Sequence, residues 1–490
     1  MSERTLEAPP VPGSEPPQGQ QQAAGEPWTL RLFGREHPWW ATSVGLVVLS
    51  TLLVVVARTR PGFDPYGWLV WGHQTLAANL DTNAAPSWKP LPYLFTVPYA
   101  LAGHYQLWLW MITAAAVSLS GVVFAGRIAY RLTDPPPGRR YSGLIAAAFA
   151  GLALLGISNY SHYILSYQSD PMIVALCLGA IDCHLSGRPR WAFVLAALAS
   201  LGRPEVWLFA GLYAVWAWRA IPSMRPLLAA GVLLNIVLWF GIPAITSRTP
   251  FVAAANALDS GRRLHSNQVF GTVKRFLDLH VAPVEIVALL SVALALLRRD
   301  RATLALAGGV VAWVVVEIAF VLHGWPGIGR YMFEASGVMV VVAAVFIGRL
   351  LSAQLLPDTR LRTVPVWIGP LLVALIVASL VPSAVSRART EHKDLRAQRA
   401  RTTQINKLRS TINQFGGASR FAPCGEPLTR LEYQSILAWM LRLNVSAVGF
   451  KYGPAVQSGR PIVLFTPRLE GGWKVQARSQ HVAQCRALPR

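Results

Sequence analysis

Long apolar runs alternate with short polar segments along most of the chain, and each run predicts a helix. Roughly eleven of these runs occur. They lie near Ala41–Ala57, Leu107–Ala125, Tyr141–Ile157, Pro171–Leu185, Trp191–Leu201, Val206–Trp218, Pro226–Ile245, Val284–Leu297, Ala302–Leu322, Tyr331–Gly348 and Val364–Val381. The shorter ones cross a hydrocarbon layer of about 30 Å only if the layer thins or the helix is buried in protein. The pattern predicts an all-α polytopic membrane domain over residues 41–383, with about 11 transmembrane helices.

The two ends of the chain lack this alternation. Residues 1–40 begin with a stretch rich in Pro, Gln, Glu and Gly that holds too little apolar surface to fold, so we expect a disordered cytoplasmic tail. Residues 384–490 begin with a basic helical segment, Arg387–Gln414, and predict a small α/β domain of about 100 residues, a size at which one core can form. Its strand-like runs are Val445–Tyr452, Pro461–Phe465 and Trp473–Ala477.

The composition supports a membrane protein. Of the 490 residues, 53% are hydrophobic and only 14% are charged, and the mean hydropathy is +0.39, which is more apolar than a soluble domain. The net charge of +22 raises the question of nucleic acid. The arginines, however, lie in short clusters between apolar runs, where the positive-inside rule expects them, so no nucleic-acid partner is predicted.

The arginine clusters also predict the topology, because they all fall on one side when the runs are threaded in alternation, and that side is the cytoplasm. The opposite face then receives Pro61–Tyr105, Ser158–Asp170, Ser247–Pro283, Gly324–Arg330 and the region after Ser383. The N-terminus is therefore expected in the cytoplasm and the C-terminal domain outside it. If the segment around Gly202–Glu205 is instead part of one bent helix, every later loop changes side. The arginines concerned are Arg127, Arg131, Arg139, Arg140, Arg188, Arg190, Arg219, Arg225, Arg298, Arg299, Arg301, Arg349, Arg360 and Arg362.

The four cysteines fall into two pairs. Cys177 and Cys183 lie within an apolar run, whereas Cys424 and Cys485 bracket most of the strand-like part of the C-terminal region. In an oxidising compartment the second pair is expected to form a disulfide that stabilises this small domain.

The first candidate for chemistry is Asp64, a few residues past the first apolar run in the segment FDPYGWLVWG. The aromatic residues Tyr66, Trp68 and Trp71 are expected to set it at the membrane surface. On this segment alone, an equally good interpretation is that Asp64 caps a helix starting at Pro65.

Further candidates map to the same face of the membrane, and each has a structural alternative. Lys89, in SWKPLP, either supplies a cation for a site close to the outer membrane face or extends to lipid headgroups. Arg203 and Glu205, in LGRPEVW, lie where two short runs meet. They either mark a functional site, or simply pair with each other or cap helix ends. For Arg330 the two interpretations are a residue that binds a ligand and an anchor that holds a helix end at the membrane interface. For the segment Ser247–Pro283 the two interpretations are an amphipathic segment that faces solvent or headgroups, and a basic segment that attracts a lipid phosphate. The remaining residues of these groups are Asp81, Tyr331, Arg262, Arg263, His265, Lys274 and Arg275.

Two classes of site are weakly supported. The histidines show no pairing at metal-ligand spacing, so no cofactor is predicted with certainty, although a divalent metal ion stays open. No phosphate loop of the form GxxxxGK[ST] occurs, which argues against a nucleotide-driven pump. The histidines considered are His73, His104, His162, His265 and His323.

The layout resembles the GT-C superfamily of integral membrane glycosyltransferases, which use polyprenyl-phosphate sugars. In both, a first span precedes a large outer loop with an early acid, here Asp64. The sequence GRPE at Gly202–Glu205 looks like the RPE-type segment of these proteins, and GRY at Gly329–Tyr331 is similar to their arginine-tyrosine element. The appended C-terminal domain is similar to that of actinobacterial members. The resemblance covers Ala41–Val381, and the chain differs in having one acid, not two adjacent ones, at the loop start.

The resemblance implies a bacterial plasma-membrane enzyme that moves a sugar from a polyprenyl-phosphate carrier to an envelope glycan or glycolipid with inversion, surrounded by membrane lipids. Asp64 would be the general base. Two alternatives are a transporter or flippase of lipid-linked sugars, for which no inverted repeat is evident, and a non-catalytic envelope scaffold. The residues expected to bind substrate are Tyr66, Asp81, Lys89, Arg203, Glu205, Arg330 and Tyr331.

Overall fold

The computed structural model describes residues 29–32, 35–259, 264, 267–352, 367–457, 459–468, 471–477 and 485. The chain separates into two units, residues 1–45 and residues 46–490. In the first unit, strands β1 (Thr29–Leu32) and β2 (Arg35–Pro38) form an antiparallel hairpin. The predicted tail of residues 1–40 thus ends in a hairpin where we expected no secondary structure, and residues 1–28 lie outside the described part of the chain.

The second unit is mostly helical, and its first helix begins within the first unit. A π-helical turn, Val237–Gly241, joins two of the helices into one apolar segment. The helices are α1 (Trp39–Ala57), α2 (Phe63–Leu76), α3 (Pro90–Ala100), α4 (Gln106–Thr133), α5 (Arg140–Leu155), α6 (Tyr160–Leu165), α7 (Asp170–Leu185), α8 (Pro189–Ser200), α9 (Val206–Ala220), α10 (Arg225–Ile236), α11 (Ile242–Thr246), α12 (Val252–Leu258), α13 (Gln268–Leu277), α14 (Ala282–Arg298), α15 (Arg301–Leu322), α16 (Phe333–Leu351), α17 (Ile368–Gln414), α18 (Gln434–Leu441) and α19 (Tyr452–Gln457).

The chain is a multi-pass membrane protein, but the predicted number of spans is not reached. Each predicted run overlaps a helix, yet among the described residues six helices are long and apolar enough to cross a membrane, or seven if the bent pair α13–α14 counts as one span. The shorter helices α5 and α7 have 16 residues each, α8 has 12 and α9 has 15. At about 1.5 Å per residue they measure roughly 18–24 Å, less than the hydrocarbon thickness of about 30 Å.

Helix α16 lies at the centre of the helical bundle. It is buried along most of its length and packs against α4, α5, α7, α14 and α15. Small residues permit this close approach: a Cβ atom on Gly348 would lie 2.4 Å from Thr133 Oγ1 at the end of α4.

Helices α8 and α9 form an antiparallel pair, so the alternative of one bent helix around Gly202–Glu205 is wrong. Phe193, near the start of α8, shares a small apolar cluster with Ala217, near the end of α9. The five residues between the two helices form the turn that reverses the chain.

The predicted loops at one end of the bundle also contain helices. The segment Pro61–Tyr105 holds α2 and α3, and Ser247–Pro283 holds α12 and α13. Of the basic residues predicted in the second segment, Lys274 and Arg275 lie in the last turn of α13. Arg262, Arg263 and His265 fall outside the described residues.

The C-terminal region combines a long helix with a small mixed sheet. Helix α17 has 47 residues and continues without a break across the predicted boundary at residues 383 and 384. Strand β3 (Glu426–Leu428) pairs parallel with β4 (Ile462–Pro467), which pairs antiparallel with β5 (Trp473–Ala477). A disulfide joins Cys424 to Cys485, whose Cα atoms are 5.5 Å apart.

One predicted strand, Val445–Tyr452, is wrong. The segment forms a 3-10 turn at Val445–Ala447, makes a single parallel bridge between Gly449 and Leu428 of β3, and then enters α19. Val445 and Val448 are buried three residues apart, while Phe450 and Tyr452 are exposed. The apolar residues therefore do not follow the two-residue period that a strand needs.

Ion pairs and hydrogen bonds fasten the end of the bundle where α4, α7 and α16 finish. Arg349, near the end of α16, forms an ion pair with Asp300 in the turn between α14 and α15 and donates to Leu132 O at 2.9 Å. Arg131 donates to Leu185 O at the end of α7. These arginines belong to the clusters predicted to face the cytoplasm.

Candidate active site

At the opposite end of the bundle, where α7 and α16 begin, charged side chains from five segments converge. Arg330 Nη1 lies 3.4 Å from Asp64 Oδ2 and 3.8 Å from Asp170 Oδ2. Arg203 Nη2 donates to Asp170 Oδ1, and Lys89 Nζ lies 3.9 Å from the same oxygen. Three cations thus surround the Asp170 carboxylate, which is wholly buried. We call Asp64, Lys89, Asp170, Arg203 and Arg330 the charge cluster.

Asp64 is not the cap of its helix. Helix α2 begins at Phe63 with Gly62 at the N-cap, so Asp64 lies in the first turn, where the helix dipole favours a carboxylate. Its side chain contacts Arg330 and keeps 22% of its surface exposed. Within the charge cluster, its carboxylate is the more accessible one, since Asp170 is fully buried.

Close packing places Arg203 beside the start of α7. A Cβ atom on Gly202 would lie 2.5 Å from Ile173 Cδ1, so glycine allows the α8–α9 turn to touch α7. The turn is held by Trp207 and Trp239, whose Nε1 atoms donate to Ser200 O at 3.0 and 2.9 Å.

Arg203 does more than neutralise its neighbour Glu205. Its Nη1 lies 3.9 Å from Glu205 Oε1, but its Nε is only 3.0 Å from Glu334 Oε1, and it also binds Asp170. Its guanidinium carbon lies 4.4 Å from the centre of the Tyr331 ring. With 2% of its surface exposed, Arg203 organises the inner part of the charge cluster.

Lys89 points into the charge cluster and does not extend to the headgroups. Its segment is fixed because Leu91 N–H donates to Leu201 O at 2.9 Å and Trp88 Nε1 donates to Leu238 O at 2.9 Å. The side chain is 16% exposed. Burial lowers the pKa of Lys89, and the Asp170 carboxylate opposes that shift without cancelling it.

Arg330 is likewise held in the protein and does not act as an interfacial anchor. It lies in a 3-10 turn, Gly329–Met332, directly before α16, and its side chain is 14% exposed. The turn is fixed by Arg203 Nη2, which donates to Arg330 O at 3.0 Å, and by Trp313 Nε1, which donates to Tyr331 O at 2.9 Å. The guanidinium carbon lies 5.7 Å from the ring centres of Tyr163 and Tyr331.

Tyr66 and Asp81, both predicted to bind substrate, have their ring and hydrogen-bond partners outside the charge cluster. The Tyr66 ring is buried and packs 5.4 Å from Trp439 of α18, and burial raises the pKa of Tyr66 to about 12. The Asp81 carboxylate accepts hydrogen bonds from Ser446 and Asn83. Burial alone would raise the pKa of Asp81, but these hydrogen bonds outweigh it and lower the pKa.

Sequence reasoning missed three carboxylates that the structure places at this end of the bundle or beside it. Asp170 had a signal, because Asp170–Pro171 repeats the Asp64–Pro65 pair at the start of a helix. Glu334 and Glu317 are each 2% exposed, and an acid in a membrane run, as in α15, is a functional candidate by default. Three buried oxygens, Glu205 Oε2, Glu317 Oε1 and Glu334 Oε2, have no hydrogen-bond partner among the described residues.

Among the described residues, no group of three or more His, Cys, Asp or Glu side chains is arranged to hold a metal ion. The polar end of the bundle is organised around arginine and lysine. Such an arrangement suits an anionic ligand beside an accessible carboxylate.

No protein-family model and no curated protein matches this chain. Its fold is similar to that of ArnT from Cupriavidus metallidurans in a crystal structure with undecaprenyl phosphate bound. The two chains are 16% identical, the match covers 88% of this chain and 93% of that one, and the TM-score is 0.50. The apo state of the same protein is also 16% identical and covers 87% and 93%, with a TM-score of 0.47. At this level of identity the likeness concerns the fold alone.

Proposed function

We propose that this protein is a membrane glycosyltransferase that moves a sugar from a polyprenyl-phosphate carrier to a hydroxyl of an envelope glycan or glycolipid. The observation that carries the proposal is the charge cluster, in which an accessible carboxylate, Asp64, meets three cations at one end of a membrane bundle. The bundle has the fold of a protein crystallised with undecaprenyl phosphate, which supports a carrier of that chemical class.

In the proposed mechanism, Asp64 removes the proton from the acceptor hydroxyl as its oxygen attacks the anomeric carbon of the lipid-linked sugar. The new glycosidic bond forms on the face opposite the phosphate, so the configuration inverts. The old bond breaks, and its electron pair leaves with the polyprenyl phosphate. A positioned general base contributes typically about 10² to 10⁴ in rate.

The departing phosphate gains negative charge, and Arg330 and Lys89 are the groups we assign to stabilise it. Asp170 is a positioning residue in this scheme, because its carboxylate holds both cations and Arg203. Three buried oxygens that face no cation of the described residues within ion-pair distance, Glu205 Oε2, Glu317 Oε1 and Glu334 Oε2, are suited to accept hydrogen bonds from sugar hydroxyls. Tyr331, stacked against Arg203, is proposed to line the same site.

We further propose that the protein lies in a bacterial plasma membrane with its N-terminus in the cytoplasm and its C-terminal region outside. The end of the bundle fastened by Arg131 and Arg349 carries the arginines that the positive-inside rule assigns to the cytoplasm. Counting α5, α7, α8 and α9 as embedded helices beside the seven candidate spans gives eleven. The Cys424–Cys485 disulfide fits an oxidising compartment. An actinobacterial origin and the division into domains at residues 383 and 384 stay predictions.

The proposal is tested with purified protein in lipid, a panel of labelled polyprenyl-phosphate sugars and extracted envelope acceptors. Asp64→Asn should lower transfer by about 10²-fold or more, because the base is lost while its size is kept. Asp81→Asn is the matched control in the same segment and should leave transfer unchanged. Full activity of Asp64→Asn would exclude Asp64 as base, and transport without a glycosidic product would favour a flippase.

A further inference from the structure

A second group of cations lies near the segment before Asp64, where helix α17 packs against it. Arg60 precedes α2, and Arg401 and Arg409 lie on α17. Within the described part of the chain, none of the three forms an ion pair with a carboxylate. Asp394 of α17 lies two turns before Arg401 and is bound by His162, with Nδ1 2.8 Å from Oδ1. These guanidinium groups are therefore available to an anionic ligand.

Arg401 lies close to the proposed base. Its Nη2 donates to Arg60 O at 3.1 Å, and its Nη1 lies 4.0 Å from the point where a Cβ atom on Gly62 would stand. Gly62 precedes Asp64 by two residues, and two residues span at most about 7 Å, so Arg401 is on the order of 10 Å from Asp64. One sugar acceptor can bridge that distance.

Aromatic rings hold two of the guanidinium groups in place. The Arg409 carbon lies 5.1 Å from the Trp439 ring, and the Arg60 carbon lies 5.1 Å from the Trp108 ring. A guanidinium group stacked on an indole keeps its edge N–H groups free to bind phosphate or carboxylate. The side chains are thus ordered before any ligand arrives.

Buried donors point to a missing partner. Arg401 Nε and Trp439 Nε1 are buried and have no hydrogen-bond partner among the described residues. An unsatisfied buried N–H is costly, and an acceptor oxygen from a ligand would remove that cost. All three arginines also act on the same hydroxyl group, since burial raises the pKa of Tyr66 while Arg60, Arg409 and Arg401 each oppose that shift.

We infer that Arg60, Arg401 and Arg409 form a subsite for an anionic group of the acceptor, a phosphate or a carboxylate. This assignment rests on the proposed transfer function and adds the chemical class of the acceptor. It differs from the donor phosphate site at Lys89 and Arg330, which lies inside the charge cluster. Arg409 is exposed, so the subsite opens to the surface of the protein.

The anion site is tested without turnover. The full-length protein in neutral phosphatidylcholine discs is treated with phenylglyoxal, and mass spectrometry measures the modification rate of each exposed arginine. Inorganic pyrophosphate should slow modification of Arg409 several-fold and leave Arg396, an exposed residue of the same helix, unchanged. Arg401→Gln should reduce this protection, and Lys89→Met should keep it. Equal rates at Arg409 with and without pyrophosphate would overturn the subsite.

Two further arms identify the source of the anion. With a phosphorylated or carboxylated acceptor, Arg409→Gln should raise the acceptor KM about 10-fold or more and leave the donor KM unchanged, whereas Arg396→Gln should change neither. Protection by phosphatidylglycerol in the discs, with no effect of acceptor charge on KM, would assign the site to lipid headgroups and overturn the acceptor assignment. Protection by pyrophosphate in a protein that transfers no sugar would retain the anion site and reject the transferase.

Discussion

Replacing Asp170 by asparagine should destabilise the protein, because Lys89, Arg203 and Arg330 share its carboxylate. Asparagine keeps the shape of the side chain and removes its charge. Breaking a buried ion pair by removing one partner costs about 3–5 kcal/mol. Unfolding entropy is about 2.1 cal/mol/K per residue, or about 1 kcal/mol/K for this chain of 490 residues, so the Tm should fall by about 3–5 °C.

The assay is thermal unfolding of the purified protein in one detergent, with the monodisperse fraction as the readout. Asp81→Asn serves as the matched control, because that carboxylate binds Asn83 and Ser446 and has no buried cation to neutralise. Adding Lys89→Met to Asp170→Asn removes one uncompensated cation and should recover part of the loss. A Tm for Asp170→Asn equal to that of the wild type would refute the reasoning, as would strict additivity in the double variant.

Two further predictions concern the neighbours of the charge cluster. Gly202→Ala should lower the free energy of unfolding by about 1–3 kcal/mol, because the new Cβ atom meets Ile173, whereas Gly211→Ala, which has open space, should be tolerated; urea titration compares them. Burial lowers the pKa of Lys89 below its ordinary 10.5, so the unfolded state binds more protons between the two pKa values, and stability should rise with pH in that window. Thermal unfolding from neutral pH towards 10.5 should show this rise in the wild type and a flatter profile in Lys89→Met; matching profiles would contradict it.

The apolar runs predicted the helices because burial in lipid or protein requires a continuous apolar surface. The alternation of arginine clusters also indicated that Asp64, Lys89, Arg203 and Arg330 share one end of the bundle, and these four side chains meet there. The positive-inside rule assigns whole loops to one side of the membrane. That assignment stays the same when the predicted ends of individual helices are wrong by a few residues.

The finer features were not predictable for physical reasons. The Asp170–Pro171 pair marks a helix start that resembles Asp64–Pro65, but only tertiary packing reveals that Arg203 and Arg330 lie against Asp170. The number of spans depends on the length of each helix and on whether it faces lipid or protein. An apolar run in the sequence does not distinguish a membrane-spanning helix from a shorter helix that is buried in protein. The boundary near residue 383 is a change in composition, but the backbone of α17 crosses it as one helix.

Helix α17 also bears on how the protein is made. The Arg60 N–H donates to Thr402 Oγ1 at 2.8 Å, and 342 residues separate the two in the chain. At about 5–20 residues per second, roughly 20–70 s pass between the synthesis of Arg60 and that of Thr402. Until then the segment that leads to Asp64 has no α17 beside it. The segment before Asp64 therefore gains this contact only near the end of synthesis, after helices α1–α16 have been made.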